Sequence, residues 1–304
     1  MPKFSVIIPT YNQCNYLAKA LKSVIDQSFE DFEIIIIDNY SSDKTSDVVK
    51  SFDNSKIIYE KFNNKGIIGA SRNLGINKAN GEWIAFLDSD DWWYKNKLEV
   101  ISNCIDANKN TSVFCSNEKI EILKKDVKKL LIWGPYTKDF YKNLLLRGNC
   151  VSTSASIVKK NFLDFNKISF SEDTNIVTAE DYDFFLKIAL ANGKFHFINE
   201  VLGVHLIHEK SMSSNHFYHR KSVLTVIDKH LSNNYKNLIS KKIFKLRSIF
   251  SVLVLDLKFY LAKKNYIKSF VLSFFLFLFY PDRCIELLLK KKKNSHLAKK
   301  YFTQ

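Results

Sequence analysis

The stretch that decides the fold is Trp83-Ile84-Ala85-Phe86-Leu87-Asp88-Ser89-Asp90-Asp91, in which five apolar residues run directly into three carboxylates. A short apolar run followed by polar residues predicts a buried strand with the acids at its C-terminal end. Ligands bind at that edge in open α/β sheets. If the strand geometry continues for two more residues, Asp88 and Asp90 project to the same side, because side chains along a strand alternate with a period of two.

Two carboxylates so close together indicate a site for a divalent cation. Hard oxygen donors suit Mg²⁺ or Mn²⁺, and such ions commonly bind together with substrate phosphates rather than in a cage built by protein alone. The alternative is a solvated acidic turn in which Asp90 or Asp91 caps the helix that follows. The rest of the chain favours the cation site.

The composition indicates one α/β domain with an appendage. The chain has 304 residues, 46% of them hydrophobic and 25% charged, which is ample for a packed interior and excludes a disordered chain. The formal net charge of +15 indicates an anionic partner, which is nucleic acid, a membrane surface or a phosphate-bearing substrate.

Cysteine usage and apolar runs predict the compartment. The five cysteines are widely spaced with no Cys-x-x-Cys pair, which favours reduced thiols in the cytoplasm over a zinc site or a disulfide framework. A strand-like run begins by residue 4, so we expect no secretory signal. The longest apolar run, residues 269–280, is shorter than the roughly 20 residues that a membrane-spanning helix needs.

The first half of the chain alternates strand and helix patterns. Apolar runs at residues 4–10, 33–38 and 56–59 predict strands, and residues 17–25 carry apolar side chains at helical spacing. Asp38 ends the second strand and should lie beside the end of the first, because successive β-α units pair right-handedly in one sheet. Four of the eight glycines fall between residues 66 and 81, which indicates close approach of backbones.

Arg72 lies in this glycine-rich region, in the segment Ala70-Ser71-Arg72-Asn73-Leu74-Gly75. The segment predicts a helix that begins near a charged ligand, with Arg72 as a candidate partner for phosphate. The alternative for Arg72 is a surface salt bridge.

The second half continues the alternation less regularly. Residues 119–132 predict an exposed hairpin or loop whose lysines are a solvated face. Residues 150–158 predict a strand rich in hydroxyl groups, which faces a sugar or forms a sheet edge. The remaining predictions are helices at residues 98–105 and 137–146, and strands at residues 113–116, 195–198 and 201–207.

A second acidic cluster, Ala179-Glu180-Asp181-Tyr182-Asp183, opens a helix. Carboxylates are favoured in a first helical turn by the macrodipole, which is the structural explanation. Chemistry at a phosphorylated carbon also needs a base separate from the metal-binding acids, and Asp181 is the best candidate, with Glu180 and Asp183 next. His208, after the last strand, is either structural or completes a metal or phosphate shell.

The character of the sequence changes near residue 216. No glycine follows Gly203, and lysines flank the Phe/Leu-rich run at residues 270–279, with four more at 290–293. This pattern predicts an interfacial helix at a membrane surface, and the alternative is a helix packed on the catalytic domain. On the first interpretation, a chain ending near Ser214 stays soluble and does not bind membranes.

Five motifs, in this order, resemble those of family 2 inverting glycosyltransferases, which have the GT-A fold. They are Phe4-Ser5-Val6-Ile7-Ile8-Pro9-Thr10-Tyr11-Asn12, Ile37-Asp38-Asn39-Tyr40-Ser41-Ser42-Asp43, Gly69-Ala70-Ser71-Arg72-Asn73-Leu74-Gly75, Gly81-Glu82-Trp83-Ile84-Ala85-Phe86-Leu87-Asp88-Ser89-Asp90-Asp91, and Glu180-Asp181. The resemblance covers residues 4–213 and is specific because all five motifs occur together.

The resemblance implies roles for individual residues. Asp181, with Glu180 beside it, is implied as the catalytic base, and the implied nucleotide-binding residues are Pro9, Tyr11, Asp38, Arg72 and Asp88. Asp90 and His208 are implied as the residues that hold Mn²⁺ or Mg²⁺ and the diphosphate. The chain departs from the family at Asn39-Tyr40, where relatives often have a glycine-containing turn, and at Leu206, where they commonly have arginine.

The resemblance also implies the architecture and the reaction. We expect an α/β, Rossmann-like, mostly parallel sheet flanked by helices, with a GT-A domain at residues 1–213 and a basic helical C-terminal extension at 214–304. Residues 1–116 form the nucleotide-sugar-binding half and 117–213 the acceptor and catalytic half. The implied donor is a UDP-sugar and the implied acceptor a polyprenyl-diphosphate-linked saccharide of cell-surface polysaccharide. The implied location is the cytoplasmic face of the inner membrane.

Two other functions compete with this interpretation. A sugar nucleotidyltransferase also holds metal and nucleotide on a related sheet, but it should show a glycine- and arginine-rich loop near the first strand, and residues 9–16 have none. A basic nucleic-acid-binding protein would account for the positive charge. The aromatic residues lie mostly in apolar runs, however, and much of the basic excess is C-terminal, so we expect no nucleic-acid partner.

Overall fold

The structure, a computed structural model, describes residues 1–123, 125–208, 215–234 and 237–302. Its strands are β1 (Phe4–Thr10), β2 (Phe32–Asp38), β3 (Ile57–Lys61), β4 (Trp83–Phe86), β5 (Trp92–Trp93), β6 (Val113–Ile122), β7 (Lys125–Leu131), β8 (Ser156–Lys159) and β9 (Phe195–Ile207). Its helices are α1 (Cys14–Ile25), α2 (Thr45–Ser51), α3 (Ile68–Lys78), α4 (Lys97–Ala107), α5 (Phe140–Arg147), α6 (Lys160–Asn166), α7 (Glu180–Leu190), α8 (His216–Asn234), α9 (Leu238–Ala262), α10 (Tyr266–Phe279) and α11 (Pro281–Phe302).

The first four strands form the parallel part of one sheet, in the order β3-β2-β1-β4. β1 is buried along its whole length, as expected for a parallel strand covered by helices on both faces. Thr10 pairs with Asp38 at the C-terminal ends of β1 and β2. The predicted α/β sheet is therefore confirmed, and its C-terminal edge brings together the segments that follow β1, β2 and β4.

The sheet continues through β8, β6, β9 and β5, with antiparallel pairs on both sides of β8 and a parallel pair between β6 and β9. β6 and β7 form the predicted hairpin. Residues 195–207 form one strand with register shifts near Asn117, rather than the two strands predicted. Of the predicted strand at 150–158, only the end belongs to β8, because Ser156, its first residue, donates back to the Ser152 and Thr153 carbonyls in a local turn.

The backbone after β4 turns instead of continuing as a strand. β4 ends at Phe86, and the Asp91 N–H donates to the Asp88 carbonyl at 3.0 Å. The prediction that strand alternation orients Asp88 and Asp90 is therefore wrong. The capping alternative is wrong too, because Asp91 is buried and accepts a bond from Leu206 N, and the short strand β5 follows.

Two glycines allow α3 and β4 to approach β1 closely. A Cβ atom on Gly75 would lie 2.5 Å from Ile7 Cγ2, and one on Gly81 would lie 2.6 Å from the Ser5 backbone nitrogen. Both distances are shorter than real Cβ contacts, so glycine is required at these positions. The close approach predicted from the glycine cluster is confirmed here.

The chain divides into two compact units. The first comprises residues 1–136 and 150–208, and the second comprises 137–149 together with the chain after 208. Within the second unit α5 packs on α9, and Arg147 forms an ion pair with Glu286 of α11. The predicted division at residues 213 and 214 lies outside the described residues and stays a prediction. No helix within the described ranges is both long and apolar enough to cross a membrane.

Candidate active site

Asp38 anchors the first part of the site at the end of β2. Its side chain is fully buried and accepts hydrogen bonds from the Tyr59 hydroxyl at 2.5 Å and from both the backbone N–H and the hydroxyl of Ser41, at 2.9 and 2.5 Å. Burial, together with Asp38, raises the pKa of the Tyr59 phenol, which therefore stays a neutral donor. These bonds fix the Asp38 carboxylate in place.

The loops after β1 and β2 are bonded to each other beside Asp38. Asn12 Oδ1 accepts from Ser42 N at 2.8 Å, and Ser41 Oγ accepts from Asn12 N at 2.8 Å. Tyr40 has a φ of +54°, a left-handed conformation that glycine adopts more readily. The two loops thus form one rigid rim around the predicted nucleotide site. Pro9 is buried behind this rim, whereas Tyr11 is 56% exposed at its surface.

Arg72 joins the two acidic clusters. Its Nη2 lies 2.6 Å from Asp88 Oδ1 and its Nη1 lies 2.6 Å from Glu180 Oε1. The guanidinium is buried and lies over the Phe170 ring, 5.2 Å from the ring centroid. Arg72 is therefore neither a surface salt bridge nor, in this arrangement, open towards solvent. Its predicted contact with phosphate stays a prediction, and its observed contacts link the loop after β4 to the start of α7.

Glu180 and Asp181 occupy different surroundings at the start of α7. Burial of Glu180, opposed by Arg72, raises its pKa to about 7. Asp181 is half-buried, and its Oδ1 accepts from Tyr182 N at 2.7 Å. Asp183 is fully buried and lies 2.6 Å from Lys187 Nζ. Asp181 is thus the most accessible carboxylate of the three, which argues against Asp183 as the base.

Asp90 and His208 come together from distant positions in the first unit's sequence. His208 Nε2 lies 2.9 Å from Asp90 Oδ2, and the imidazole stacks on Tyr16 with 4.8 Å between ring centroids. Burial, together with the charges of Asp91 and Asp88, raises the pKa of Asp90 to about 6. The surroundings of Asp90 therefore do not fully stabilise its negative charge.

The donor atoms of Asp90 and His208 suit a divalent cation. A carboxylate and an imidazole are both suitable ligands for Mn²⁺, and carboxylate alone suits Mg²⁺. Burial first, and the charges of Asp91 and Asp88 second, disfavour an ionised Asp90 and so raise its pKa, and a divalent cation would offset both effects. No group of three or more metal-ligating side chains occurs in the described part of the chain. The two residues fit a cation that takes its other ligands from a bound diphosphate.

A buried polar layer supports the acidic turn. Lys97 has no solvent exposure and donates to the Ser154 carbonyl at 3.0 Å, and burial lowers its pKa to about 8. Ser154 Oγ accepts from Asp88 N at 3.1 Å. The hydroxyl-rich segment predicted to face a sugar or an edge thus has one serine that holds the turn. Lys97 could not be identified from the sequence, because a lysine in a helix normally indicates a solvated face.

A cleft of about 240 Å³ opens next to Asp90. Aromatic, charged and aliphatic side chains share its walls, and Lys19 Nζ lies 3.0 Å from the centroid of a Trp92 ring. The residues that line it are Tyr16, Lys19, Asp90, Trp92, Glu121, Ile122, Leu123 and Leu206. The cleft therefore extends the site from Asp90 towards the hairpin of β6.

The Rossmann-like sheet, with acids at its C-terminal edge joined through Arg72 to a carboxylate-bearing helix, has the arrangement expected of the GT-A fold. The family model described as glycosyl transferase family 2 matches residues 5–164, more than half of the chain. The chain belongs to this family.

Similar proteins extend over most of the chain. An uncharacterized glycosyltransferase of Rickettsia typhi is 27% identical over 281 residues, covering 90% of this chain and 84% of the relative. The poly(ribitol-phosphate) β-N-acetylglucosaminyltransferase TarP of Staphylococcus aureus is 29% identical over 252 residues, covering 81% and 75%. The chain spans only 20% and 17% of two other Rickettsia glycosyltransferases, to which it is 44% and 40% identical.

Solved structures share the fold. S. aureus TarS residues 1–349 with UDP-GlcNAc superpose with a TM-score of 0.65 at 23% identity, covering 82% of this chain and 73% of that one. The mannosyltransferase PcManGT of Pyrobaculum calidifontis, in complex with GDP-Man and Mn²⁺, gives 0.59 at 15% identity, covering 98% and 86%. At these identities the likeness establishes the fold, and the ligands remain those of the neighbours.

Proposed function

We propose that the chain is an inverting glycosyltransferase that moves a sugar from a nucleotide-diphosphate donor, a UDP-sugar, to a hydroxyl of a saccharide acceptor. The observation that carries this proposal is the Arg72 bridge, with 2.6 Å contacts to both Asp88 and Glu180. A displacement needs its leaving-group site and its base held in one geometry. The bridge connects the donor-side turn to the helix that carries Asp181.

On the donor side, Asp38 and the loop rim receive the base, and Asp88 lies at the ribose. The buried Asp38 supports this role, because three hydrogen bonds from Ser41 and Tyr59 orient its carboxylate and leave acceptor capacity on Oδ2 for one more donor. The UDP-GlcNAc complex of TarS, which has the same fold, supports UDP as the nucleotide. Pro9 and Tyr11 complete the base pocket in this proposal.

Asp90 and His208 hold Mn²⁺ or Mg²⁺ in this proposal. When bound, the cation supplies electrostatic stabilisation of the negative charge that develops on the leaving diphosphate. The Mn²⁺ in the GDP-Man complex of PcManGT supports a divalent ion in this fold. The contribution of the chain itself is to orient the two ligands, since Tyr16 stacks on the imidazole.

Asp181 acts as the general base. It removes the proton of the acceptor hydroxyl while that oxygen attacks C1 from the face opposite the diphosphate, and the C1–O bond to the diphosphate breaks. One displacement inverts the anomeric centre, and the products are the glycosylated acceptor, the nucleoside diphosphate and a proton on Asp181. Glu180 is bonded to Arg72, so we assign it positioning rather than proton transfer.

The acceptor in this proposal is a polyprenyl-diphosphate-linked saccharide of cell-surface polysaccharide, handled on the cytoplasmic face of the inner membrane. The basic, apolar-rich C-terminal helices support a membrane location. TarP, a relative at 29% identity, acts on a poly(ribitol-phosphate). Both acceptors are anionic polymers or lipids, which suits a chain with a formal charge of +15.

Calorimetry tests the metal-dependent donor site. The wild type should bind UDP in the presence of Mn²⁺, and EDTA or Asp90→Ala should weaken binding roughly 10- to 100-fold, which is the equivalent of one charged contact. Asp164→Ala is the matched control, because Asp164 is an exposed acid on α6. Equal UDP affinity in the wild type, with EDTA and in Asp90→Ala would remove the metal site from the proposal.

A further inference from the structure

Helix α10 exposes apolar side chains around most of its circumference. The side chains of Phe270, Phe274 and Phe277 are 72%, 63% and 66% exposed. Every residue of α10 is described, and those that are buried are Ser269 and Leu276, which lie two helical turns apart on one line. The helix therefore contacts its neighbours along a narrow stripe and presents phenylalanine and leucine elsewhere.

An apolar surface of this kind is not stable in water by itself. Single exposed hydrophobic residues are ordinary, but contiguous apolar patches mark contact with a partner or a membrane. Further exposed apolar side chains lie on α11, which contacts α10: Ile285, Leu288 and Leu289. The surface formed by α10 and this part of α11 is called the apolar surface below.

The charges around the apolar surface are almost all positive. Between residues 237 and 302 the sequence has 15 Lys and Arg and three Asp and Glu, a net charge of +12. Exposed lysines stand before α10 at Lys263 and Lys264, within it at Lys268, and on α11 at residues 290–292. The complementary partner is therefore apolar and anionic at once.

We propose that α10 lies in the interface of an anionic phospholipid bilayer, with its phenylalanines at the boundary of headgroups and acyl chains and the flanking lysines on the lipid phosphates. A helix of 14 residues is about 21 Å long, short of the roughly 30 Å hydrocarbon core, so it lies along the surface. This inference specifies how the chain contacts the membrane. It rests on the proposed function only for the choice of the cytoplasmic leaflet.

Two other occupants fit the surface less well. A second copy of the chain would bring another segment of net charge +12 against the first, and the two would repel. A protein groove covers one face of a helix, whereas exposed phenylalanines and leucines occupy most of the circumference of α10, interrupted by Lys268, Ser273 and the buried stripe at Ser269 and Leu276. A fluid bilayer can surround such a helix.

Co-sedimentation with vesicles tests the inference on the full chain. Wild type should bind vesicles of phosphatidylglycerol mixed with phosphatidylcholine, and bind phosphatidylcholine alone far more weakly. The triple variant Phe270→Gln, Phe274→Gln and Phe277→Gln should lose on the order of 100-fold in vesicle affinity, because its apolar burial is removed. The matched control is Phe165→Gln, an 85% exposed phenylalanine on α6.

The electrostatic part has its own test. Lys263→Glu, Lys264→Glu and Lys268→Glu, made singly, should each weaken binding by at least about fivefold at low salt, since one basic residue near an anionic surface has roughly that effect. Salt should weaken binding without abolishing it. Lys109→Glu is the control, because Lys109 is an exposed lysine in the first unit.

The outcomes separate membrane binding from catalysis and from self-association. The triple phenylalanine variant should bind UDP as tightly as wild type does. If wild type does not bind UDP, that result counts against the proposed function and not against membrane binding. Vesicle binding that is absent in wild type, or equal in the triple variant and Phe165→Gln, would overturn the inference. A wild-type dimer that becomes monomeric in the triple variant, without vesicle binding, would assign the surface to a second copy.

Discussion

Lys97 carries its ammonium group into the interior under the acidic turn, where burial lowers its pKa to about 8. In the unfolded chain its pKa is near 10.5, so between these values the unfolded state binds more protons and stability rises with pH. Lys97→Met lacks this dependence. We predict that the stability of wild type relative to Lys97→Met rises by up to about 3 kcal/mol between pH 8 and 10.5.

Urea unfolding of both proteins across this pH range measures the difference. Lys97→Met also loses contacts to Trp93 and the Ser154 carbonyl, which changes its unfolding free energy by the same amount at every pH. The change of the free-energy difference with pH therefore reports the titration of Lys97. Parallel pH dependences of the two proteins would show that Lys97 is not protonated differently in the folded and unfolded states.

Single site residues could be predicted where they follow a predicted strand. Asp90 and His208 are 118 positions apart, yet both follow strands, and the prediction of one shared site is consistent with their 2.9 Å contact. Their roles stay predictions. Tyr59 could not be identified as a partner of Asp38. The sequence does not show which residue of the neighbouring strand β2 the hydroxyl of a tyrosine on β3 contacts.

At the scale of elements, the Arg72 bridge connects α3, the turn after β4 and α7. Removing one partner of a buried pair leaves the other charge uncompensated, typically at a cost of about 3–5 kcal/mol. We predict that Arg72→Met and Glu180→Gln each destabilise the chain, and that the double variant loses less than the sum, by a coupling energy of about 1–3 kcal/mol.

A double-mutant cycle by urea unfolding measures this coupling. The control cycle is Lys160 and Asp164, an exposed i,i+4 pair on α6, for which the coupling should be only about 0.3–0.5 kcal/mol. Strict additivity of the Arg72 and Glu180 changes would contradict the bridge as a stabilising contact.

Elements were predictable where periodicity was strong. The parallel strands β1, β2 and β4 and the helices of the C-terminal region match the hydrophobic pattern. The strand predicted at 150–158 is mostly loop, because a run of hydroxyl residues forms local bonds such as Ser156 Oγ to Ser152 O as readily as strand ladders.

At the scale of the molecule, α5 belongs to the second compact unit although it lies in the middle of the first unit's sequence. The sequence predicts α5 as part of the acceptor and catalytic half at residues 117–213, because contacts between distant segments leave no local pattern in the sequence. The expectation that a chain ending near Ser214 stays soluble considers only the C-terminal helices. Such a chain also loses α9, on which α5 packs, so we predict that it aggregates.

A second truncation provides the control. Gly134 N donates to the Cys150 carbonyl at 3.0 Å, so a short Gly/Ser linker can replace residues 137–149. A chain ending at residue 208 with this replacement should be recovered as a monomer by size-exclusion chromatography, whereas the same truncation with α5 retained should not. Equal solubility of both truncations would contradict the assignment of α5 to the second unit.

In the proposed reaction, Asp181 removes a proton from an acceptor while a nucleotide sugar is cleaved at the adjoining site. The most direct measurement is nucleotide release from a panel of UDP- and GDP-sugars with Mn²⁺, comparing the full chain with Asp181→Asn. We predict turnover of at least one donor, a loss of about 10²- to 10⁴-fold in Asp181→Asn, and unchanged donor affinity in calorimetry. Turnover unaffected by Asp181→Asn, or a folded chain that binds none of the donors, would contradict it.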